Sequence, residues 1–326
     1  MKELSPVAVL YEEDAFGPIS HLAFSPQGLL AVAGEGADVW DLSGPELAAK
    51  PLAYFSGTLL SPIAWSPDGS HLAIGQERRA VIYDLATQQE RAVHEHDGEV
   101  ELIAWSPDGK RVISCSAYEQ CHVWQAETGE TTIAHSMRLP PMFLLWLPDG
   151  RLLTNPFQLH PKSAMWQVQI WQDERAVVAA LLDDGERRCD PYTRAAFAPG
   201  SAQLALGTQE GYVQLWHIPK GSTPVRTLVL PFHVNAITGL AWAPTEQVLA
   251  SGSADGHVAI WDEQGTLRYH TGYRPGGERG VRALAWWRDL LAVAYDEGQV
   301  GLYRVPETDG SHEPEDTNSV SSPGLT

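Results

Sequence analysis

Short apolar segments, each closed by a polar turn, recur along nearly the whole chain. Four of them end in one phrase: Phe24-Ser-Pro-Gln-Gly28, Trp65-Ser-Pro-Asp-Gly69, Trp105-Ser-Pro-Asp-Gly109 and Trp146-Leu-Pro-Asp-Gly150. Phe197-Ala-Pro-Gly200, Trp242-Ala-Pro-Thr245 and Trp286-Trp-Arg-Asp289 stand in equivalent places and make seven. From aromatic to aromatic the steps are 41, 40, 41, 51, 45 and 44 residues. That matches the roughly 40–45 residues that a blade of four short strands and its turns require. A second marker runs in phase with the first, an alternating segment ending in Trp40, Tyr83, Trp124, Trp171, Trp216, Trp261 or Tyr303. Between the markers lie apolar runs such as Leu29-Leu-Ala-Val-Ala33, His71-Leu-Ala-Ile74 and Val248-Leu-Ala-Ser251, long enough for a strand and too short for a stable helix.

The pattern therefore predicts an all-β chain: a seven-bladed β-propeller of four-stranded antiparallel blades with no helix of consequence. Pro-Asp-Gly is the first hairpin turn of a blade, since Pro fixes φ and Gly accepts a positive one. A weaker fourth strand follows each second marker, as in Pro51-Leu-Ala-Tyr-Phe55 and Thr266-Leu-Arg-Tyr269. The seventh repeat runs out near Arg304 and lacks its own fourth strand, whereas Pro6-Val-Ala-Val-Leu-Tyr11 precedes the first repeat unassigned. Adding that N-terminal strand to blade seven would close the ring and remove its exposed edges. One domain then covers residues 1–306. Residues 307–326, with five acidic residues and no Lys or Arg, are expected to be a disordered tail.

Over residues 5–305 the chain resembles the WD-repeat family. The sixth repeat carries the resemblance best: His233, Ser251, Asp255 and Trp261 stand where that family places a hydrogen-bonded chain of His, Ser, Asp and Trp tying a blade together. Its implied role is structural, the pairing of polar groups that burial would otherwise orphan. The third repeat departs from the pattern, with His96, Ser114 and Trp124 but Tyr118 in the Asp position. The second, fifth and seventh carry Glu77, Glu210 and Glu297 there, which leaves apolar packing to hold those blades.

Composition narrows the partners. With 22 Lys plus Arg against 41 Asp plus Glu, a net −19 repels phosphate backbones and anionic membranes, so no nucleic acid and no membrane is expected. No apolar run approaches the roughly 20 residues that span a bilayer, and nothing near the start reads as a leader, which predicts a cytoplasmic protein. Three cysteines are too few for a disulfide scaffold; Cys115 and Cys121, facing each other across a hairpin of the third repeat, are read as buried thiols.

Chemistry is thinly marked. His94-Glu-His96 offers two imidazoles, but no third ligand is marked beside them and His96 is already the structural His, so no metal and no cofactor is expected. No phosphate-cradling loop leads into a helix, and no nucleophile elbow is present. Most of the twelve tryptophans keep the repeat phase and belong to the core; Trp287, beside Trp286, is assigned to packing between blades. What stands out is added length in three connections: residues 155–165, 183–192 and 271–280. By strand order they leave the same face, and they bring together Phe157, His160, Lys162, Arg187, Arg188, Tyr192, Tyr273, Arg274 and Arg279, with Arg282 beside them. Arg is favoured at binding hot spots because its planar fork pairs with carboxylates and stacks on aromatics. The expectation is a non-catalytic scaffold or adaptor, a monomer or a member of a hetero-complex, holding a protein or peptide partner on that face. Two alternatives stand beside it: a propeller hydrolase or lyase with its site at the channel mouth, and a structural subunit of a larger assembly.

Overall fold

In the second and third strands of the second repeat both faces are covered, and the residues show how. Leu72 and Ile74 of the strand His71–Gln76, with Val81 and Tyr83 of Arg79–Asp84, pack into a cluster shared with Ala31, Val39 and Phe55 of the first repeat. The alternate residues Ala73, Ala80 and Ile82 pack the other way, against Val100, Ile103, Val112 and Trp124 of the third repeat. Successive side chains of a strand point to opposite faces, so a strand covered on both sides reads as an unbroken apolar run.

The computed structural model describes residues 2–11, 17–44, 50–59, 62–116, 120–136, 141–155, 168–172, 176–178, 192–220, 224–244, 247–271 and 280–306. Among them lie seven β-sheets and no helix, one sheet per repeat. Sheet two holds Ile63–Trp65, His71–Gln76, Arg79–Asp84 and Gln89–Glu95 in sequence order; sheet three holds Val100–Trp105, Arg111–Ser116, Gln120–Gln125 and Thr131–Ser136. Sheets four and five repeat this antiparallel order from Leu144 to Val178 and from Tyr192 to Pro231. In sheet one, Leu29–Asp41 is extended throughout, pairing by its first half with His21–Phe24 and by its second with Ala53–Leu59. The Leu42 N–H nevertheless donates to the Gly28 carbonyl at 3.1 Å. Straight extension would part those residues by roughly 45 Å, so the run doubles back, with Gly36 at φ +131° between its halves.

The N-terminus serves two sheets. Ala8–Leu10 pairs antiparallel with Val300–Arg304, Ala8 opposite Leu302 and Leu10 opposite Val300, and so supplies the fourth strand of sheet seven, as the sequence led us to expect. Lys2–Leu4 adds a fifth, parallel strand beside Leu267–Thr271 of sheet six, a pairing the sequence did not suggest. Buried apolar clusters join each sheet to the next, and one joins the last to the first, placing Leu30, Val32 and Trp40 with Leu290, Ala292 and Leu302. Trp287 sits in that last junction. It stacks on Phe24 with centroids 6.3 Å apart, and its indole N–H donates to the Pro26 carbonyl at 3.1 Å, the role between blades assigned to it above.

The repeat markers have distinct jobs. At Trp65, Trp105 and Trp242 the indole N–H crosses to a carbonyl of the preceding sheet, Ala23, Ala64 and Ala196 respectively, at 3.0–3.1 Å. In the turn that follows, the Asp68 carboxylate accepts from the Ser66 hydroxyl at 2.6 Å and the Ser70 N–H at 3.0 Å, while Gly69 takes φ +68°. Those hydrogen bonds hold the Asp68 carboxyl at about 2.

Candidate functional site

The four residues named for the sixth repeat are assembled in sheet six. His233 Nε2 lies 2.9 Å from Ser251 Oγ, which also accepts the Trp261 indole N–H at 2.9 Å. His233 Nδ1 faces both Asp255 oxygens at 3.3 and 3.4 Å, and the same carboxylate accepts the backbone N–H groups of Val234 and His257 at 2.9 Å each. Burial alone would raise the Asp255 carboxyl, but the hydrogen bonds from His233, His257 and Val234 outweigh it and hold the group at about 2. Every polar atom at the centre of this chain is engaged within the sheet, which makes it a tie.

The residues chosen for a binding face are placed less uniformly. Phe157, His160, Lys162, Arg187, Arg188, Tyr273, Arg274 and Arg279 lie outside the described residues. Tyr192 is core: only 4% exposed, it opens the first strand of sheet five, and its hydroxyl donates to Gln214 Oε1 at 3.0 Å beside the Trp216 N–H. Having spent its ring and hydroxyl on the sheet, it cannot serve a partner, and the expectation for it is corrected. Arg282 remains exposed on the first strand of sheet seven, paired with Asp296. Arg194, which the sequence did not single out, is partly buried on the first strand of sheet five; its guanidinium donates at 2.8 Å to the carbonyls of Thr238 and Thr193. Burial and then the charge of Arg282 lower its pKa, and burial with the charge of Arg194 brings His21 down to about 4. On the side of the Ser-Pro-Asp-Gly turns, a groove of about 510 Å³ runs between sheets two and three, lined among others by Asp68, Arg91, Trp105, Asp108 and Lys110.

Sheet three alters two expectations. Cys115 and Cys121 are opposite each other in register and form a disulfide, buried at 0% and 1% exposure, where free thiols were expected. Near-neighbour position across a hairpin brings the sulfurs together whatever the overall cysteine count. The second concerns His94 and His96. The third imidazole that the sequence left unmarked is His122, on the third strand of sheet three, and one ligand atom from each of the three lies within 4.8 Å of the others. Strand pairing supplied this neighbour; linear spacing could not.

The chain matches the family model described as "WD domain, G-beta repeat" over residues 87–125 and 222–262, the segments leading through sheets two and three and through sheets five and six. Those two segments are WD repeats by that match. The second matched segment contains the whole His233, Ser251, Asp255 and Trp261 tie, so the WD-repeat frame and the hydrogen-bonded chain coincide. Among characterised proteins it resembles "Actin-related protein 2/3 complex subunit 1A-B" of Xenopus laevis, 28% identical over 126 residues, 36% of this chain and 33% of that protein. It also resembles "Actin-interacting protein 1" of Drosophila melanogaster, 28% identical over 91 residues, 27% of this chain and 15% of that protein. "Echinoderm microtubule-associated protein-like 2" of Rattus norvegicus is 24% identical over 161 residues, 49% of this chain and 23% of that protein. The WD-repeat match thus spans a third or less of each of these relatives. Among the described residues no helix is long and apolar enough to cross a membrane.

Proposed function

We propose that the seven sheets form a closed seven-bladed ring and that this ring is a non-catalytic scaffold for a protein or peptide partner. The observation that carries the reading is the apolar cluster joining sheet seven to sheet one, with Trp287 against Phe24, in a chain whose repeat residues are spent on holding sheets together. A rigid frame with its polar chemistry internally satisfied leaves loops and rims for function. The relatives are named for a complex subunit, for interaction with actin and for association with microtubules, which fits a binding role. The partner face is the one bearing residues 155–165, 183–192 and 271–280, with Phe157, His160, Lys162, Arg187, Arg188, Tyr273, Arg274 and Arg279 as its contacts and Arg282 at its border. The acidic balance of the chain argues against nucleic acid as that partner. The reading keeps the protein in the cytoplasm, where a fully buried Cys115–Cys121 bridge is out of reach of soluble reductants.

Affinity purification with mass spectrometry of the recovered proteins, repeated with Phe157, Arg188 and Tyr273 all changed to Ala, tests this. A partner captured by the natural chain and lost by the triple variant, with unchanged circular dichroism, supports the reading. The groove at the Ser-Pro-Asp-Gly turns favours a second, rival face. If Arg91→Ala with Lys110→Ala abolishes capture while the triple variant retains it, the partner binds there and the first assignment is wrong.

A further inference from the structure

In sheet six the buried His is held from both ring nitrogens, by Ser251 and by Asp255. Sheet three repeats half of that arrangement. His96 Nε2 lies 2.6 Å from Ser114 Oγ, which accepts the Trp124 indole N–H at 3.0 Å. Its Nδ1, however, is buried with no hydrogen-bond partner among the described residues, in a residue only 6% exposed. A buried ring nitrogen without a partner costs on the order of 1–3 kcal/mol and calls for an explanation.

Its surroundings supply one. The His94 and His96 rings lie edge to face at 4.9 Å, and the His96 and His122 rings lie face to face at 4.8 Å. His94 Nε2 is 2.6 Å from His122 Nδ1, while His94 Nδ1 faces the Gly129 carbonyl at 3.4 Å. With the Gly129 carbonyl to accept at His94 Nδ1 and the Ser114 hydroxyl able to accept at His96 Nε2, His94 Nε2 and His96 Nδ1 are free to offer lone pairs, and those far-side partners are the outer support metal-binding imidazoles commonly have. We propose that His94, His96 and His122 bind one divalent transition-metal ion of the kind that prefers imidazole, such as Zn²⁺, at the junction of sheets two and three.

Exposed Glu95 and Asp97 stand beside the cluster and favour a cation. Nitrogen ligands on a tetrahedral ion at about 2.0–2.1 Å are roughly 3.3–3.4 Å apart. Partly exposed His94 and His122 can turn to that spacing while His96 stays anchored on Ser114. Three protein ligands leave one position for water or for a donor from a bound molecule.

The test titrates Zn²⁺ into full-length protein, stripped with chelator and carrying no affinity tag, by calorimetry. One ion per chain should bind, with affinity falling about 100-fold or more in His94→Gln and His122→Gln, since losing a ligand costs at least as much as losing its outer support. Co²⁺ should give the visible absorption of a four- or five-coordinate ion. As a readout free of folding effects, zinc should protect His94 and His122 of the natural chain from diethylpyrocarbonate, mapped by mass spectrometry. No binding, binding unchanged in both folded His variants, or binding that disappears in Cys115→Ser with Cys121→Ser but survives the His changes would each overturn the site.

Discussion

Replacing Asp255 with Ala removes the acceptor for three donors, and the structure sets the cost of each. The Val234 N–H belongs to a residue 86% exposed, so water replaces the carboxylate there at little cost. The His257 N–H is half-buried, and the His233 side chain is 1% exposed, so these donors lose their partner where water is scarce. At about 1–3 kcal/mol for a buried orphan and less for the half-buried one, with part offset because the carboxylate no longer has to be buried, the net loss is about 1–3 kcal/mol. Glu77→Ala in sheet two is the comparison: Glu77 is exposed, and the change should cost less than Asp255→Ala. Urea unfolding followed by tryptophan fluorescence ranks the two. The same carboxylate sets a pH window. Its folded-state value of about 2 lies below the ordinary 3.8, so its contribution is complete above about pH 4 and disappears as pH falls through about 2. The stability gap between the natural chain and Asp255→Ala should therefore narrow over that interval. Equal costs for the two substitutions, or a gap that stays constant down to pH 2, would refute the claim that hydrogen bonding to this carboxylate ties the sheet.

Removing residues 1–11 takes a strand from sheets six and seven and also the Tyr11 hydroxyl, which accepts the Trp40 N–H and donates to Asp38 at 2.8 Å each; the truncated chain should melt lower and aggregate, measured by calorimetry and light scattering. Gly28→Ala should destabilise the junction of sheets seven and one by about 1–3 kcal/mol in urea, because Gly28 sits at φ +93° and an added Cβ would meet the Trp287 ring at 2.6 Å. Of the three cysteines, one should react with a thiol reagent in denaturant without reductant, and all three after reduction.

Much of the frame was legible because a blade is a local object. Each antiparallel sheet is built from adjacent segments, so the phase of aromatic markers and turns sufficed to place strands, and the unassigned Pro6–Tyr11 segment had an evident vacancy in sheet seven. Lys2–Leu4 was not legible, since three residues give too short a pattern and its parallel partner lies more than 260 positions away. The fused run Leu29–Asp41 was read as two separate strands, which its backbone path supports even though it stays extended through the bend. Tyr192 failed as a surface candidate because proximity to an enlarged connection says nothing of which way a strand residue points; Gln214, two positions before Trp216, takes its hydroxyl inward.

The same departure from the repeat pattern explains why the histidine cluster was both hidden and possible. In sheet six the Asp at position 255 closes the circuit and leaves His233 nothing further to bind. In sheet three that position holds Tyr118, which lies outside the described residues, and read along the chain the substitution is only a weakened repeat. Read across the strands it is a buried imidazole with one nitrogen satisfied by Ser114 and the other unpartnered among the described residues, packed beside two more imidazoles, one contributed by the outer strand of sheet two and one by the third strand of sheet three. His94 and His122 are 28 residues apart and belong to different sheets, so their meeting depends on how sheet two packs on sheet three. A substitution Tyr118→Asp would restore the local pattern and should compete with metal for His96 Nδ1. Weaker zinc binding together with higher stability in that variant would show that the two uses of this nitrogen exclude each other; unchanged affinity would show that His96 takes no part in holding the ion.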